Sequence, residues 1–197
     1  MPAPADAQTP LTIPTLPTQS GRFTLRPFTL ADAPDVHSHL NDPRIAPWTL
    51  HIAYPYPEGA GARWIATHGP AAAAGTELTW AIVTPEDDRV IGAIAIHLAP
   101  RHRRAEIGYW LATSFWGQGV MTDAARTVVA YGFEALGLHR IQATCLPHNV
   151  GSYRVMEKAG MTREGILRDY VLHGDAFADI AMYAIIAGRE DATGHAR

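Results

Sequence analysis

Apolar positions along the chain alternate between two periods, and the order of those periods outlines a fold. Arg22 to Arg26 (RFTLR) sets an apolar side chain at every second position, the spacing of a half-buried strand. Asp32 then offers a helix N-cap, with Asp35 three residues on and Pro34 in the first turn, where its missing N–H costs little. That helix carries Val36 on its apolar side, runs to about Leu40 and is stopped by Asn41-Asp42-Pro43. Residues 44–57, with Trp48, Tyr54, Tyr56 and three prolines, read as an aromatic-rich loop. A second short helix is expected over Glu58–His68, carrying Trp64 and Ile65, and a break over Gly69–Gly75.

The second half is more regular. Leu78–Thr84 and Arg89–Leu98 read as a hairpin around Pro85-Glu86-Asp87-Asp88, and Arg101–Leu111 pairs next. A helical period runs from Thr122 to Ala135 and stops before Gly137, a natural residue just past a helix end. His139–Leu146 is a strand and Asn149–Ala159 a helix ending at Gly160. Met161–Arg168 and Phe177–Ile186 are two more strands, joined around His173-Gly174-Asp175. Helices between strands make part of the sheet parallel, and hairpins make the rest antiparallel. The expectation is one α/β domain over residues 21–190, with a mixed, mostly antiparallel sheet of about seven strands and about four helices. A Pro-, Thr- and Ala-rich arm at 1–20, flexible or loosely docked, precedes it, and a polar tail at 191–197 follows.

Composition narrows the classes. With 47% hydrophobic and 18% charged residues among 197, the chain can fill one sizeable core. A net charge of −3 gives no basic excess for nucleic acid or an anionic membrane. No apolar stretch approaches the ~20 residues that span a bilayer. The opening MPAPADAQTP has neither a basic segment nor an apolar one, so no secretory signal is read there. Cys145 has no second cysteine to pair with, and a cytoplasmic location is expected. No His/Cys cluster has metal-ligand spacing, so no metal is expected.

Candidate chemistry concentrates at residues 106–122, EIGYWLATSFWGQGVMT. An apolar strand leads through Gly117-Gln118-Gly119 into a helix start. Glycines let the backbone approach an anion closely. The first helical N–H groups have no intrahelical partner, and the helix dipole favours negative charge there. Gly117 and Gly119 alone could equally be a tight turn. There is no Lys-Ser/Thr after the glycines, and no acidic residue in a dinucleotide pattern, which argues against a nucleotide module.

The chain resembles the GNAT N-acetyltransferase superfamily, within it the RimJ/RimL-type ribosomal-protein N-acetyltransferases. The matching stretches are Phe23-Thr24-Leu25-Arg26-Pro27, Asn41-Asp42-Pro43, Tyr54-Pro55-Tyr56-Pro57 with Arg63-Trp64-Ile65, and Glu106-Ile107-Gly108-Tyr109-Trp110-Leu111. Further on come Trp116-Gly117-Gln118-Gly119 with Met121-Thr122, His139-Arg140-Ile141, Asn149-x-x-Ser152 with Glu157-Lys158-Ala159-Gly160, and Glu164-Gly165-Ile166-Leu167-Arg168. The superfamily's acetyl-CoA signature is Gln or Arg, two residues, Gly, one residue, then Gly or Ala. Its first and last positions fall here on Trp116 and Met121, so two of three depart, and only Gly119 conforms.

The resemblance implies acetyl-CoA as acyl donor, direct transfer to an amine, and a V-shaped split between two central strands. The cosubstrate would be held by Trp110, Leu111, Ala112, Trp116, Gly117, Gln118, Gly119, Val120, Met121, Thr122, Asn149, Ser152 and Lys158. Arg154 is a further cation for its phosphates. An amine must be neutral to attack a thioester, yet an α-amine has a pKa near ~7.7–8.0 and a lysine near ~10.4. Glu106 is the candidate proton acceptor, with His97, His148 or water as alternatives. A backbone N–H near Leu111 or Ala112 would receive the acyl oxygen as it gains charge. Many GNAT enzymes place an acidic tyrosine seven residues after the helix Asn. Here that slot is Met156, so Ser152 is the candidate proton source for the CoA thiolate. Asn149 and Ser152 could instead be simple caps. Tyr109, Trp110 and Tyr131 read as core or pantetheine wall, and Cys145 as a small buried apolar residue rather than a nucleophile. Arg26, Trp48, Tyr54, Tyr56 and Trp64 would form the acceptor side, or merely pack a loop. The acceptor is expected to be a protein N-terminal α-amine, or else a small amine such as a polyamine, amino acid or antibiotic. A non-catalytic acyl-CoA-binding domain is the remaining alternative. Relatives that pair through sheet edges imply a homodimer.

Overall fold

The structure is a computed structural model and describes residues 10–188. One sheet of eight strands runs in the order β1-β2-β3-β4-β5-β6-β8-β7. Its strands are β1 (Leu16–Pro17), β2 (Thr24–Pro27), β3 (Glu77–Val83), β4 (Val90–Ala99), β5 (Arg104–Leu111), β6 (Arg140–Cys145), β7 (Thr162–His173) and β8 (Ala176–Ile186). All neighbours are antiparallel except β5 and β6. The sheet therefore has one strand more than the alternation predicts. The addition is β1, two residues too short to show any period. Four α-helices accompany it among the described residues: α1 (Ala33–Leu40), α2 (Ala60–Ala73), α3 (Val120–Glu134) and α4 (Val150–Lys158).

Two local expectations change. The segment Gly69–Gly75 does not break the second helix, which continues through Gly69 and Pro70 to Ala73. Pro70 costs one backbone bond, but three alanines follow, the best helix formers. Asp32 stands before α1 as expected, yet its side chain makes no cap bond there. Its carboxylate instead accepts from the Thr29 N–H (2.7 Å) and from both terminal nitrogens of Arg26 (2.9 Å each).

Part of the N-terminal arm is docked. The Trp80 indole N–H, in a side chain with no exposure, donates to the Pro14 carbonyl at 2.8 Å. Ser20 donates through its N–H (3.1 Å) and its hydroxyl to the Asp123 carboxylate on α3, and the Gln19 N–H reaches the Thr127 hydroxyl. Residues 10–20 thus strap α3 to the sheet. Residues 1–9 and the 191–197 tail lie outside the described residues.

Strand alternation divides the interior into two cores. Leu78, Trp80, Ile82, Ile94, Ile96 and Ile107 face α3 and α4. Ala81, Val83, Ala93 and Trp110 face the opposite way and pack against Val36, Leu40 and Ile65 of α1 and α2. The sheet is a wall between two layers, and what matters for chemistry is where that wall opens.

Candidate active site

The wall opens between β5 and β6. They pair in parallel only from Arg104↔Arg140 to Ile107↔Ala143. Beyond Ile107, β5 keeps its other neighbour, with Gly108, Tyr109, Trp110 and Leu111 still paired to β4. One edge of β5 is left without a strand for four residues. The Ala112 N–H donates to the Ile91 carbonyl at 2.8 Å. N–H groups alternate sides along an antiparallel strand, so those of Leu111 and Tyr109 turn towards the opening. Of the two backbone donors expected, Ala112 is therefore excluded by its bond to β4, and Leu111 remains. The Leu111 carbonyl is engaged by the Trp116 indole N–H at 2.8 Å, which ties the end of β5 to the glycine turn.

A cavity of about 1240 Å³ runs through this opening from one layer to the other. At one end lies the glycine turn. Gly117 (φ +75°) and Gly119 (φ +80°) both take the left-handed conformation that a Cβ disfavours. A Cβ on Gly117 would meet nothing within 4 Å, so the backbone there is bare towards the cavity. Gly119 caps α3 without any side-chain acceptor, leaving the first N–H groups of Val120, Met121 and Thr122 for an outside anion. Met121 is almost wholly buried in the α3 core and meets the cavity lining with the little of it that remains. Gln118 turns away, donating to the Ser114 carbonyl at 2.7 Å. Arg154 and Lys158 of α4 line the same end. Beside the turn, outside the cavity lining, stands a cation that sequence reasoning passed over: a Cβ on Gly119 would lie 3.8 Å from Arg22 Nη2. No sequence period could link residues 97 positions apart; the strapped arm brings them together.

At the opening itself stand three polar side chains. Asn149 caps α4, its Oδ1 accepting from the Ser152 N–H at 3.1 Å. This fixes Ser152, whose hydroxyl lies 2.9 Å from the Tyr109 hydroxyl. The Tyr109 O–H also reaches the Ser152 carbonyl at 3.2 Å. Burial raises the Tyr109 pKa well above its ordinary value, so it stays a neutral phenol. Sequence reasoning had placed Tyr109 in the wall. Its odd register with Ile107 and Leu111, opposite to Glu106, was the available signal that it faces α4. Met156 is buried in the core and Cys145 lines the cavity, its thiol raised by burial and unactivated.

On the other side of the wall lies the row headed by Glu106. Register aligns Glu77 with His97, His97 with Glu106, and Glu106 with Gln142 across four strands. Glu106 accepts from the Thr144 hydroxyl (2.9 Å) and the Gln142 amide (3.0 Å), both on β6. Trp48, Tyr56, Trp64 and His148 line this end of the cavity. Arg26 does not belong to it. Its guanidinium is spent on Asp32 and Asp88, which hold it above its already high range. Tyr54 is half exposed and lies outside the cavity lining. Among the described residues no group of three or more His, Cys, Asp or Glu could hold a metal, and no helix is long and apolar enough to cross a membrane.

A split mixed sheet, with an uncapped helix start on one face of the split and a carboxylate on the other, is the architecture of an N-acetyltransferase. Residues 22–162 match the acetyltransferase (GNAT) domain, and the chain belongs to that family. It is 40% identical over 114 residues to the uncharacterized N-acetyltransferase YoaA of Bacillus subtilis, a match covering 57% of this chain and 64% of that relative. It is 32% identical over 102 residues to the ribosomal-protein-serine acetyltransferase of Escherichia coli, covering 51% of this chain and 57% of that protein. Among solved structures, Mycobacterium smegmatis RimJ in complex with CoA-disulfide superposes with a TM-score of 0.78 at 30% identity. That likeness covers 90% of this chain and 88% of RimJ.

Proposed function

We propose that this chain binds acetyl-CoA and transfers its acetyl group directly to a primary amine, most favourably a protein N-terminal α-amine. The observation that carries the reading is the four-residue stretch of β5 left unpaired beside both Ser152 and the glycine turn. Acetyl-CoA supplies the activated acyl group and the leaving thiolate. The N–H groups at the start of α3, flanked by Arg22, Arg154 and Lys158, receive its phosphates, and the bare backbone at Gly117 and Gly119 lets them approach. The Leu111 N–H meets the acyl oxygen as charge builds on it; such a donor contributes roughly 2.7–4 kcal/mol in acyl transfer. Glu106, which accepts from Thr144 and Gln142, faces the neutral acceptor amine and takes the proton it loses on bonding to the acyl carbon. Ser152 gives its proton to the departing sulfur and takes one back from water.

The likeness to a ribosomal-protein-serine acetyltransferase supports a protein α-amine as acceptor. The aromatic lining of Trp48, Tyr56 and Trp64 favours the second reading, a small amine. Calorimetric titration with acetyl-CoA, CoA and ATP tests the donor site: micromolar acetyl-CoA binding with ATP silent is expected. A thiol-release screen of N-terminal peptides against polyamines, amino acids and aminoglycosides then separates the acceptors. Binding without turnover for any amine, unaffected by Glu106→Gln or Ser152→Ala, would instead identify a non-catalytic acyl-CoA-binding domain.

A further inference from the structure

The row behind Glu106 has a polarity that the transfer reaction alone does not use. Glu77 on β3, His97 on β4 and Glu106 on β5 stand side by side on the acceptor face of the sheet. Glu77 Oε2 lies 3.0 Å from His97 Nδ1, while its other oxygen accepts from the Thr79 hydroxyl, which is buried. The carboxylate is therefore fixed at both oxygens, and it fixes the ring. With Nδ1 turned to Glu77, Nε2 looks the other way. A Cβ on Gly108 would lie 3.7 Å from it, so Nε2 hangs over the first residue at which β5 loses its β6 partner. The imidazole is nevertheless about half exposed to solvent, with 53% of its side-chain surface open. A carboxylate that orients one imidazole nitrogen and leaves the other aimed at the reaction zone is the arrangement of a proton-handling pair.

We infer that Glu77 and His97 form a proton outlet, through which the proton taken from the acceptor amine by Glu106 leaves the cleft for solvent. The inference rests on the acetyltransferase reading above. The amine nitrogen forms its bond to the acyl carbon and loses a proton to the Glu106 carboxylate. The resulting carboxylic acid passes that proton to the His97 Nε2 lone pair, which restores the carboxylate for the next turnover. The imidazolium, balanced by Glu77, then releases its proton to water, and Ser152 recovers from water the proton it gave the thiolate, so charge and protons close over the cycle. A carboxylic acid is ordinarily more acidic than an imidazolium, so this hand-over runs downhill. The groups facing His97 are Glu77 from β3 and Glu106 from β5. His68 of α2 acts on it only through Glu77, and His51 and His148 line the same cavity. Both carboxylates raise the His97 pKa above its ordinary value, Glu77 the more strongly, through its hydrogen bond.

The test is the pH profile of kcat in the full chain, with acetyl-CoA and the best amine from the screen. Wild type should lose activity on the acid side as His97 becomes protonated and cannot accept. Glu77→Gln removes the group that raises His97, so this limb should move to lower pH. His97→Ala should lose the limb and lower kcat near neutrality by about tenfold, less than the ~10²–10⁴ of a group that touches the reacting atoms. KM for acetyl-CoA should stay unchanged, and millimolar imidazole should restore part of the rate. His97 is exposed, so folding of the variant is not at stake. Retention of the wild-type limb in His97→Ala, or no response to imidazole, overturns the outlet and leaves the transfer reading standing. A wild-type protein that acetylates no amine overturns that reading and the outlet with it.

Discussion

Replacing Tyr109 with Phe tests whether the missing helix tyrosine has been compensated from a different strand. The substitution removes only the hydroxyl that lies 2.9 Å from Ser152 Oγ and 3.2 Å from the Ser152 carbonyl. Two neutral hydrogen bonds at about 0.5–1.5 kcal/mol each set the stability loss at about 1–3 kcal/mol, short of unfolding a domain. The effect on kcat has two parts. A serine hydroxyl without a partner spreads over three staggered rotamers, so the productive one falls to about a third. Losing the phenol that accepts or donates at Oγ weakens Ser152 as a donor by ~0.7 kcal/mol, about a further threefold. Together these predict a roughly tenfold lower kcat with KM for acetyl-CoA unchanged. Ser152→Ala alone should cost about 10²–10³ in kcat, as for loss of a general acid. In the Ser152→Ala background the Tyr109→Phe change should then cost nothing more, a coupling of about 1.4 kcal/mol. Steady-state thiol release on the four proteins of this cycle, with melting temperatures as a control, reads the result. An equal tenfold loss in both backgrounds would show Tyr109 acting independently of Ser152, and the positioning argument would be wrong.

Other consequences follow from single contacts. Glu106→Gln keeps its size and its bond from Thr144 but cannot accept a proton, so kcat should fall by about 10²-fold or more while acetyl-CoA affinity by calorimetry is unchanged. Gly119→Ala forces a Cβ into a φ of +80°, a strain of about 1–2 kcal/mol per residue, and should weaken acetyl-CoA binding by roughly tenfold without abolishing the fold. Arg22→Ala should raise the acetyl-CoA Kd a few-fold at low salt, with the difference from wild type shrinking in ~0.5 M salt; a salt-independent change would place Arg22 elsewhere than at the phosphates. His68 is buried against Phe28 and Trp64 with no hydrogen-bond partner on either nitrogen, and burial lowers its pKa. As pH falls, the unfolded chain takes up that proton first, near pH ~6.5, so His68's contribution is full above that pH and is lost as pH drops towards the lowered folded value. Denaturant unfolding at about pH 7.5 and 5.5 should show a drop in stability that His68→Leu makes smaller.

Sequence periodicity reveals whatever repeats at short range, and the failures of the reading share a cause. The strands from Glu77 to Leu111 were legible as apolar runs of seven or more residues set off by turn signals, although the first two are buried almost throughout and do not declare their faces by alternation. That same regularity located Glu106 at the start of the strand leading to the glycine turn. The two residues of β1 have no period to read, and Pro70 gave a local stop signal that three following alanines and packing on β3 overrode. Arg26 sat inside a legible strand, but its commitment to Asp32 and Asp88 depends on a residue 62 positions away. Arg22 reaches the glycine turn only because residues 10–20 strap α3 to the sheet.

The face assignments carry the functional consequence furthest. Along β5 the even positions Glu106, Gly108 and Trp110 look towards α1 and α2, while Ile107, Tyr109 and Leu111 look towards α3 and α4. An amine drawn to Glu106 and a thioester hydrogen-bonded near Ser152 therefore approach one strand from opposite sides. In a continuous sheet they could never touch. They meet only because β6 stops pairing after Ile107↔Ala143, and only over the four residues that follow. Residues that hold that split open are consequently as necessary as those that line it. Gly92 on β4 is the clearest case. Opposite Leu111, a Cβ there would come within 2.7 Å of the Trp110 carbonyl, a backbone atom that cannot yield without moving β5 itself. Gly92→Ala should cost about 1–3 kcal/mol of stability and shift the Leu111 N–H. The loss in kcat should then exceed what the residual folded fraction explains. A variant that lost activity only in proportion to unfolded protein would show that the spacing of β4 and β5 does not set the geometry of the split.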